Sequence, residues 1–384
     1  MVKINEKIKA SLMLASYLET VGFKNGVWEF NYKIPTNDII KYTRIWANLL
    51  HHFLILGGSS KIDVSNWNAS DDTILILATA KAIISGGDES NYTKQYIHYY
   101  DLLLDEKRAS GINTISTLKL LKKGHMIQTL PSLDKMGGNG ASMRTGPIGL
   151  KLYMNIEKLI EESIKASRLT HNYYLGFLGG MVTALFTGFA MNNIEPWKWC
   201  DELIKLYNNK VIHKYYPKEA PHKIADLDEF IGYWKRYNET RISKLKYKNT
   251  LDSFIYPEDR TEYLMSYYPN AKIKSMVLKG ISLKTLTFDW NHLASTGLDS
   301  CIYAYDCLLM SLNTPNSKTL DFNNIEYSWD TFMTLVAIHP GDNDTTGAIG
   351  GTWYGALLGF EGIDKSRMMQ LEFYDELEQI SKDF

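Results

Sequence analysis

The stretch Tyr173-Tyr174-Leu175-Gly176-Phe177-Leu178-Gly179-Gly180-Met181-Val182-Thr183-Ala184-Leu185-Phe186-Thr187-Gly188-Phe189-Ala190-Met191 carries no charge. It is just long enough to span a bilayer. Its glycines and threonines leave it only mildly apolar, however, and it has no basic flanks, so the pattern predicts a buried core helix. Within it Gly176, Gly180, Ala184 and Gly188 share one helix face, and Gly347, Gly351 and Gly355 repeat that spacing downstream. Glycine in a helix interior costs about 1 kcal/mol against alanine, so such stripes need a packing reason. Close backbone approach supplies one. Both helices are therefore expected at the centre of the fold, the second opening directly after the acidic run Asp342-Asn343-Asp344.

Outward from these two segments the chain reads as helix. Helical periodicity runs through Ile8–Leu18, Ile39–Leu56, Thr73–Ile84, Leu150–Ser167, Trp197–Tyr207, Ile302–Leu312 and Met368–Ile380. Strand-like alternation is short, as in Val277–Leu286. No fixed-period repeat and no Pro/Gly/Ser linker interrupts the 384 residues. The expectation is an all-α, single compact helical domain over residues 1–384, with a basic and aromatic insertion around 205–285.

Composition narrows the class further. Forty-two basic against 43 acidic residues leave a formal charge of -1. The cluster Lys235, Arg236, Arg241, Lys244, Lys246 and Lys248 beside Tyr233, Trp234 and Tyr237 then reads as a solvated helical insertion rather than a nucleic-acid surface. Lys3, Lys7 and Lys9 before the apolar run Ala10–Leu18 imitate a leader, but the run is short and ends in Glu19. Cys200, Cys301 and Cys307 form no CxxC, and an odd thiol count suits a reducing compartment. A cytoplasmic monomer is expected, with no nucleic-acid or membrane partner.

Three segments can do chemistry. Ser70-Asp71-Asp72-Thr73 stands just before the apolar run Ile74–Ile84, where one acid is explained as a helix cap. Two adjacent carboxylates repel, and a divalent cation between them relieves the repulsion. Pro340-Gly341-Asp342-Asn343-Asp344-Thr345-Thr346 offers the hard oxygens that magnesium, calcium or manganese prefer, and reads equally as a turn and cap. An EF-hand is excluded, since the remaining loop ligands are missing. Met136-Gly137-Gly138-Asn139-Gly140-Ala141-Ser142-Met143-Arg144, entering a helix around Leu150, can present backbone N–H groups to a phosphate. It is neither a Walker loop nor a Rossmann fingerprint.

In this order the segments resemble the ADP-ribosylglycohydrolase family nearly end to end. The markers are NGxWEF (Asn25, Gly26, Trp28, Glu29, Phe30), SDDT at Ser70, GGxGAxMR at Gly137, Thr170-His171, STGxD over Ser295–Asp299 and GDxD[ST]T at Gly341. The tail Gly359-Phe360-Glu361-Gly362, with Leu371-Glu372 and Glu376-Leu377-Glu378, resembles the ADP-ribosylarginine hydrolase branch.

The resemblance implies an all-helical fold holding two Mg2+ ions, with ligands Ser70, Asp71, Asp72, Asp342, Asp344 and Thr345. It implies Asp71, Asp72 and Glu29 as the catalytic residues, with Glu29 lying over the metals as a gate or polar contact. ADP-ribose would meet Gly138, Asn139, Gly140 and Ser142 at its diphosphate and His171 near the ribose. The further ADP-ribose contacts would be Gly26, Ser116, Thr117, Ser295, Thr296, Gly297 and Asp299. The implied reaction is hydrolysis of the N-glycosidic bond between ADP-ribose and arginine on modified proteins. Serine-linked ADP-ribose, O-acetyl-ADP-ribose, or non-catalytic recognition of ADP-ribose are the alternatives. The chain departs from the family at Leu18-Glu19, where Gly-Asp is usual, at Phe288–Leu293, and at Gly297-Leu298-Asp299 in place of Gly-His-Asp. These departures bear on the adenosine and target-side contacts, while metal binding is expected to be kept.

Overall fold

Helix carries nearly all of the structure, a computed structural model that describes residues 2–29, 39–219, 221–243, 260, 263–264, 267, 293–313 and 326–384. In chain order the longer helices are α1 (Ile4–Phe23), α2 (Ile39–Ile55), α3 (Asp71–Ile84), α4 (Glu89–His98), α5 (Ile112–Leu121), α6 (Gly146–Leu152) and α7 (Ile156–Arg168). They continue as α8 (Tyr174–Met191), α9 (Trp199–Asn208), α10 (Ile224–Tyr237), α11 (Gly297–Met310), α12 (Trp329–Ala337), α13 (Asn343–Leu358) and α14 (Tyr374–Asp383). Among the described residues the only strand ladder is Leu312–Asn313 against Glu326–Tyr327. The fold is all-α.

A glycine seam places α13 against α1. A methyl group at Gly347, Gly351 or Gly355 on α13 would run into the α1 backbone at Leu18, Leu14 and Ser11 respectively, so the two helices meet at contact distances only glycine permits. The Ser11 hydroxyl donates to the Thr352 carbonyl at 2.5 Å across the same seam. Helix α8, long and apolar enough to cross a bilayer, is here buried along its whole length. It packs on α6, α7, α11 and α13, which suits a helix that is apolar all round.

Some element boundaries differ from the periodicity. Leu150–Ser167 is two helices, because Asn155 caps α7 by accepting the Lys158 N–H at 3.1 Å. The Trp197–Tyr207 segment starts as a 3-10 turn at Pro196–Lys198 and becomes α-helical at Trp199. Met368–Ile380 is a 3-10 turn over Lys365–Gln370, an extended Leu371, and then α14. Val277–Leu286, Phe288–His292, Lys244, Lys246, Lys248 and Phe30 lie outside the described residues. The described aromatics of the basic region serve the core: Trp234 packs edge-on against Phe186 at 5.3 Å, and Tyr237 donates to Asp306 at 2.8 Å.

Candidate active site

Both acidic pairs sit at helix N-termini, where the amide dipoles favour negative charge. Ser70 is the N-cap of α3, its hydroxyl accepting the Asp72 N–H at 3.2 Å, and Asp71 and Asp72 open the helix. Asp342 is the N-cap of α13, and Asp344 lies in its first turn, accepting the Thr345 N–H at 2.8 Å. The α1–α13 seam extends here, since a methyl group on Gly22 would meet the Asn343 carbonyl. Glu29 enters from the turn after α1, anchored by the buried Trp28 against His52, Phe53 and Trp67. Carboxylate oxygens of Glu29, Asp342 and Asp344 lie within 4.8 Å of one another.

The electrostatics follow from crowding acids in a dry site. Burial, reinforced by Asp344, pushes the Asp71 carboxyl up to about 7. Asp72, Asp342 and Glu29 are held well above the ordinary carboxylate range, by burial first and by the Asp344 charge next. Burial raises Asp344 too, against the hydrogen bond from the Thr345 amide.

One acid of this cluster escaped the sequence reading. Glu19 of α1 is fully buried, and both its carboxylate oxygens accept the Ser70 N–H, at 3.2 and 3.3 Å. Burial, with Asp344 adding, pushes it up to about 8. In the sequence it marked the end of the apolar run Ala10–Leu18 and stood in the Leu18-Glu19 departure from the family's usual Gly-Asp, and neither signal placed it among the acids of the site.

The donor set fits hard divalent cations. Carboxylate and hydroxyl oxygens are the ligands such ions take. Asp72 Oδ2 and Asp342 Oδ1 are buried and find no hydrogen-bond partner among the described residues, which is costly unless something charged completes them.

A glycine rim adjoins the acids. Residues 138 and 296 form an isolated antiparallel bridge, with the Asn139 N–H donating to the Ser295 carbonyl at 3.2 Å and the Gly297 N–H to the Gly137 carbonyl at 3.1 Å. The Asn139 side-chain amide donates to Asp342 Oδ2 at 2.6 Å and to the Ala294 carbonyl at 2.8 Å, tying rim to acid loop. Asp299 closes a capping box at α11, accepting from Ala294 N–H at 2.7 Å and from Thr296 N–H at 2.8 Å. Ser142 donates to the Gly297 carbonyl at 3.4 Å. His171 lies under the rim, its Nδ1 2.8 Å from the Thr170 hydroxyl, and burial followed by the Arg144 charge drives it down to about 3, so it is neutral. A methyl group on Gly140 would come within 2.6 Å of the imidazole.

Of the remaining predicted contacts, Gly26 lies in the turn after α1, and Ser116 and Thr117 lie on α5. Gly26 occupies an exposed turn at a φ of 74°. Ser116 and Thr117 on α5 turn their hydroxyls back to the Asn113 carbonyl, at 3.1 and 2.8 Å. Thr114, on the same helix, is the residue that approaches Gly140.

The fold and site define an all-helical protein with two acidic helix N-termini beside a glycine rim. The chain belongs to the ADP-ribosylglycohydrolase family, whose sequence profile matches residues 28–384. It is 31% identical to "ADP-ribosylhydrolase ARH1" of Dictyostelium discoideum, over 98% of this chain and 93% of that protein. It is 28% identical to "Putative ADP-ribosyl glycohydrolase L444" of Acanthamoeba polyphaga mimivirus, over 96% of this chain and 68% of that protein. A solved "ADP-ribosylglycohydrolase-related protein complex" shares the fold, with a TM-score of 0.54 and 16% identity over 98% of this chain and 97% of that one.

Proposed function

We propose that this chain removes ADP-ribose from arginine side chains of modified proteins by hydrolysing the N-glycosidic bond, with two Mg2+ ions as cofactors. The observation that carries the reading is the pair of unpartnered buried oxygens on Asp72 and Asp342, next to a backbone rim suited to a diphosphate. Ser70, Asp71, Asp72, Asp342, Asp344 and Thr345 would hold the ions. Bound magnesium supplies positive charge that polarises the ribose hydroxyls and makes a nearby water more acidic.

The chain's own groups do the rest. The amides and small side chains of Gly138, Asn139, Gly140 and Ser142 admit the diphosphate close to the backbone. Neutral His171 adds no competing charge beneath them. The Ser295-Thr296-Gly297 turn, braced by Asp299, forms the facing wall. Asp71 or Asp72 orients a water towards the anomeric carbon and accepts its proton. As the carbon–nitrogen bond breaks, its electron pair leaves with the guanidine, and the surrounding carboxylates stabilise the positive charge growing on the sugar. The departing guanidine takes up the proton the water gave and leaves as guanidinium. Glu29 suits that cation on the target side.

A release assay on arginine-, serine- and glutamate-linked ADP-ribose, with and without magnesium, tests the reading. Magnesium-dependent release from arginine, faster than from the other two, is expected. Faster cleavage of the serine linkage overturns the arginine assignment, and equal activity in chelator overturns the role of the metals.

A further inference from the structure

The turn that presents Ser70, Asp71 and Asp72 is gripped one residue upstream. Ala69 is buried, and its N–H donates to Glu372 Oε2 at 2.9 Å while its carbonyl accepts Arg108 Nη1 at 2.9 Å. Arg108 and Glu372, 264 residues apart, meet in a bidentate pair, Nη1 to Oε2 at 2.7 Å and Nη2 to Oε1 at 2.8 Å. The four groups close a ring in which Glu372 Oε2 and Arg108 Nη1 each serve both the ion pair and the Ala69 backbone. Three residues beyond Arg108, the Gly111 N–H points to Asp71 Oδ2 at 3.5 Å.

We infer that Arg108 and Glu372 are positioning residues: their ion pair fixes the Ala69 backbone, and through it the aim of the Asp71 and Asp72 carboxylates at the metals. An ordinary ion pair between a loop and the tail would brace the fold and nothing else. This one takes up both polar groups of the residue before the N-cap, so the first turn of α3 cannot rotate without breaking it. The planar guanidinium fork makes that possible, since it bonds two carboxylate oxygens and a carbonyl at once. Outer partners that orient metal-binding side chains typically change metal affinity roughly 10–100-fold when removed. The break in the helix at Leu371, where α14 had been expected to begin earlier, is what turns Glu372 towards Ala69.

The inference rests on the magnesium reading above, and the experiment separates the two. Mg2+ is titrated calorimetrically into metal-free full-length protein, with turnover and melting temperature measured in parallel. Glu372→Gln keeps the shape of the side chain but loses its charge. Arg108→Lys keeps the charge but cannot bridge Glu372 and the Ala69 carbonyl in the same way, and decides the matter if the first variant does not fold. Lys9→Ala, which removes the Lys9–Glu378 ion pair elsewhere in the tail, controls for loss of stability alone. Magnesium affinity weakened roughly 10–100-fold in the first two variants, and unchanged in the third, is expected. Unchanged affinity in Glu372→Gln and Arg108→Lys, with only a lower melting temperature, reduces the pair to a brace and overturns the inference. If the unmodified protein binds no Mg2+, the metal reading itself falls, and the clamp with it.

Discussion

Neutralising one acid should make the metal-free protein more stable and, at the same time, blind to magnesium. Asp344 is the carboxylate whose charge acts on Glu19, Glu29, Asp71, Asp72 and Asp342 alike. Its oxygens approach those of Glu29 and Asp342 within 4.8 Å. Two full charges at that separation cost about 3.5 kcal/mol at an effective dielectric of about 20. With Asp71 at about 7 and Glu19 at about 8, only part of the cluster is ionised near neutrality, so Asp344→Asn should relieve about 1–2 kcal/mol. For a chain of this length that is a rise of roughly 1–3 °C in melting temperature. The sign depends on pH. Carboxyls raised by folding contribute stability that is complete below their unfolded values near pH 4 and is lost as pH climbs through their folded values. The metal-free protein therefore weakens between roughly pH 5 and pH 8, and the variant weakens less. Asparagine can still accept the Thr345 N–H, so the helix start is kept. Scanning calorimetry in chelator and in saturating magnesium, at pH 5 and pH 8, gives the answer. The unmodified protein should gain about 2.7 kcal/mol when magnesium stands at a hundred times its dissociation constant, and the variant almost none. A variant that melts no higher than the unmodified protein at pH 8 in chelator, or that keeps the full magnesium response, refutes the reasoning.

Three further outcomes are expected. Gly138→Val should keep the fold, because a methyl group there would stand 3.7 Å from His171, but should fill the diphosphate face and lower ADP-ribose affinity in calorimetry while magnesium still binds. Glu29→Gln should raise KM for ADP-ribosylarginine more than it weakens binding of free ADP-ribose; equal effects on both would take Glu29 off the target side. Asp71→Asn or Asp72→Asn should cut turnover by at least roughly 100-fold in steady-state kinetics, and normal turnover in both would leave the pair as a helix cap only.

The helical class was legible because glycine spacing and apolar period agree in α8 and α13. A row of glycines announces that something touches the backbone, but not what, and only the structure identifies α1 at Leu18, Leu14 and Ser11 as the partner of Gly347, Gly351 and Gly355. Two of the three misjudged segments failed for a related reason. Apolar periodicity carries across Asn155 and across Leu371-Glu372, so the period alone sees one helix. The breaks come from groups with a use for the turn: Asn155 caps α7, and Glu372 reaches Ala69.

The site divides along the same line. Acid pairs such as Asp71-Asp72 and Asp342-x-Asp344 stand out in a sequence because side-by-side carboxylates are costly and ask for an explanation. Glu19 stood out only as the end of an apolar run and as a departure from the usual Gly-Asp, and a single acid does not say what it faces. Its meaning is purely tertiary. Glu19 faces the Ser70 amide because α1 lies against α13 at glycine distance, with the Gly347 position pressed onto the Leu18 carbonyl and the Glu19 nitrogen. Widening that seam by one methyl group would draw the Glu19 carboxylate away from the α3 N-terminus and move Gly22 off Asn343. The glycine seam and the acid cluster are therefore one device: helix contacts close enough to need glycine hold the carboxylates of α1, α3 and α13 near one another, and their raised proton affinities follow from that closeness.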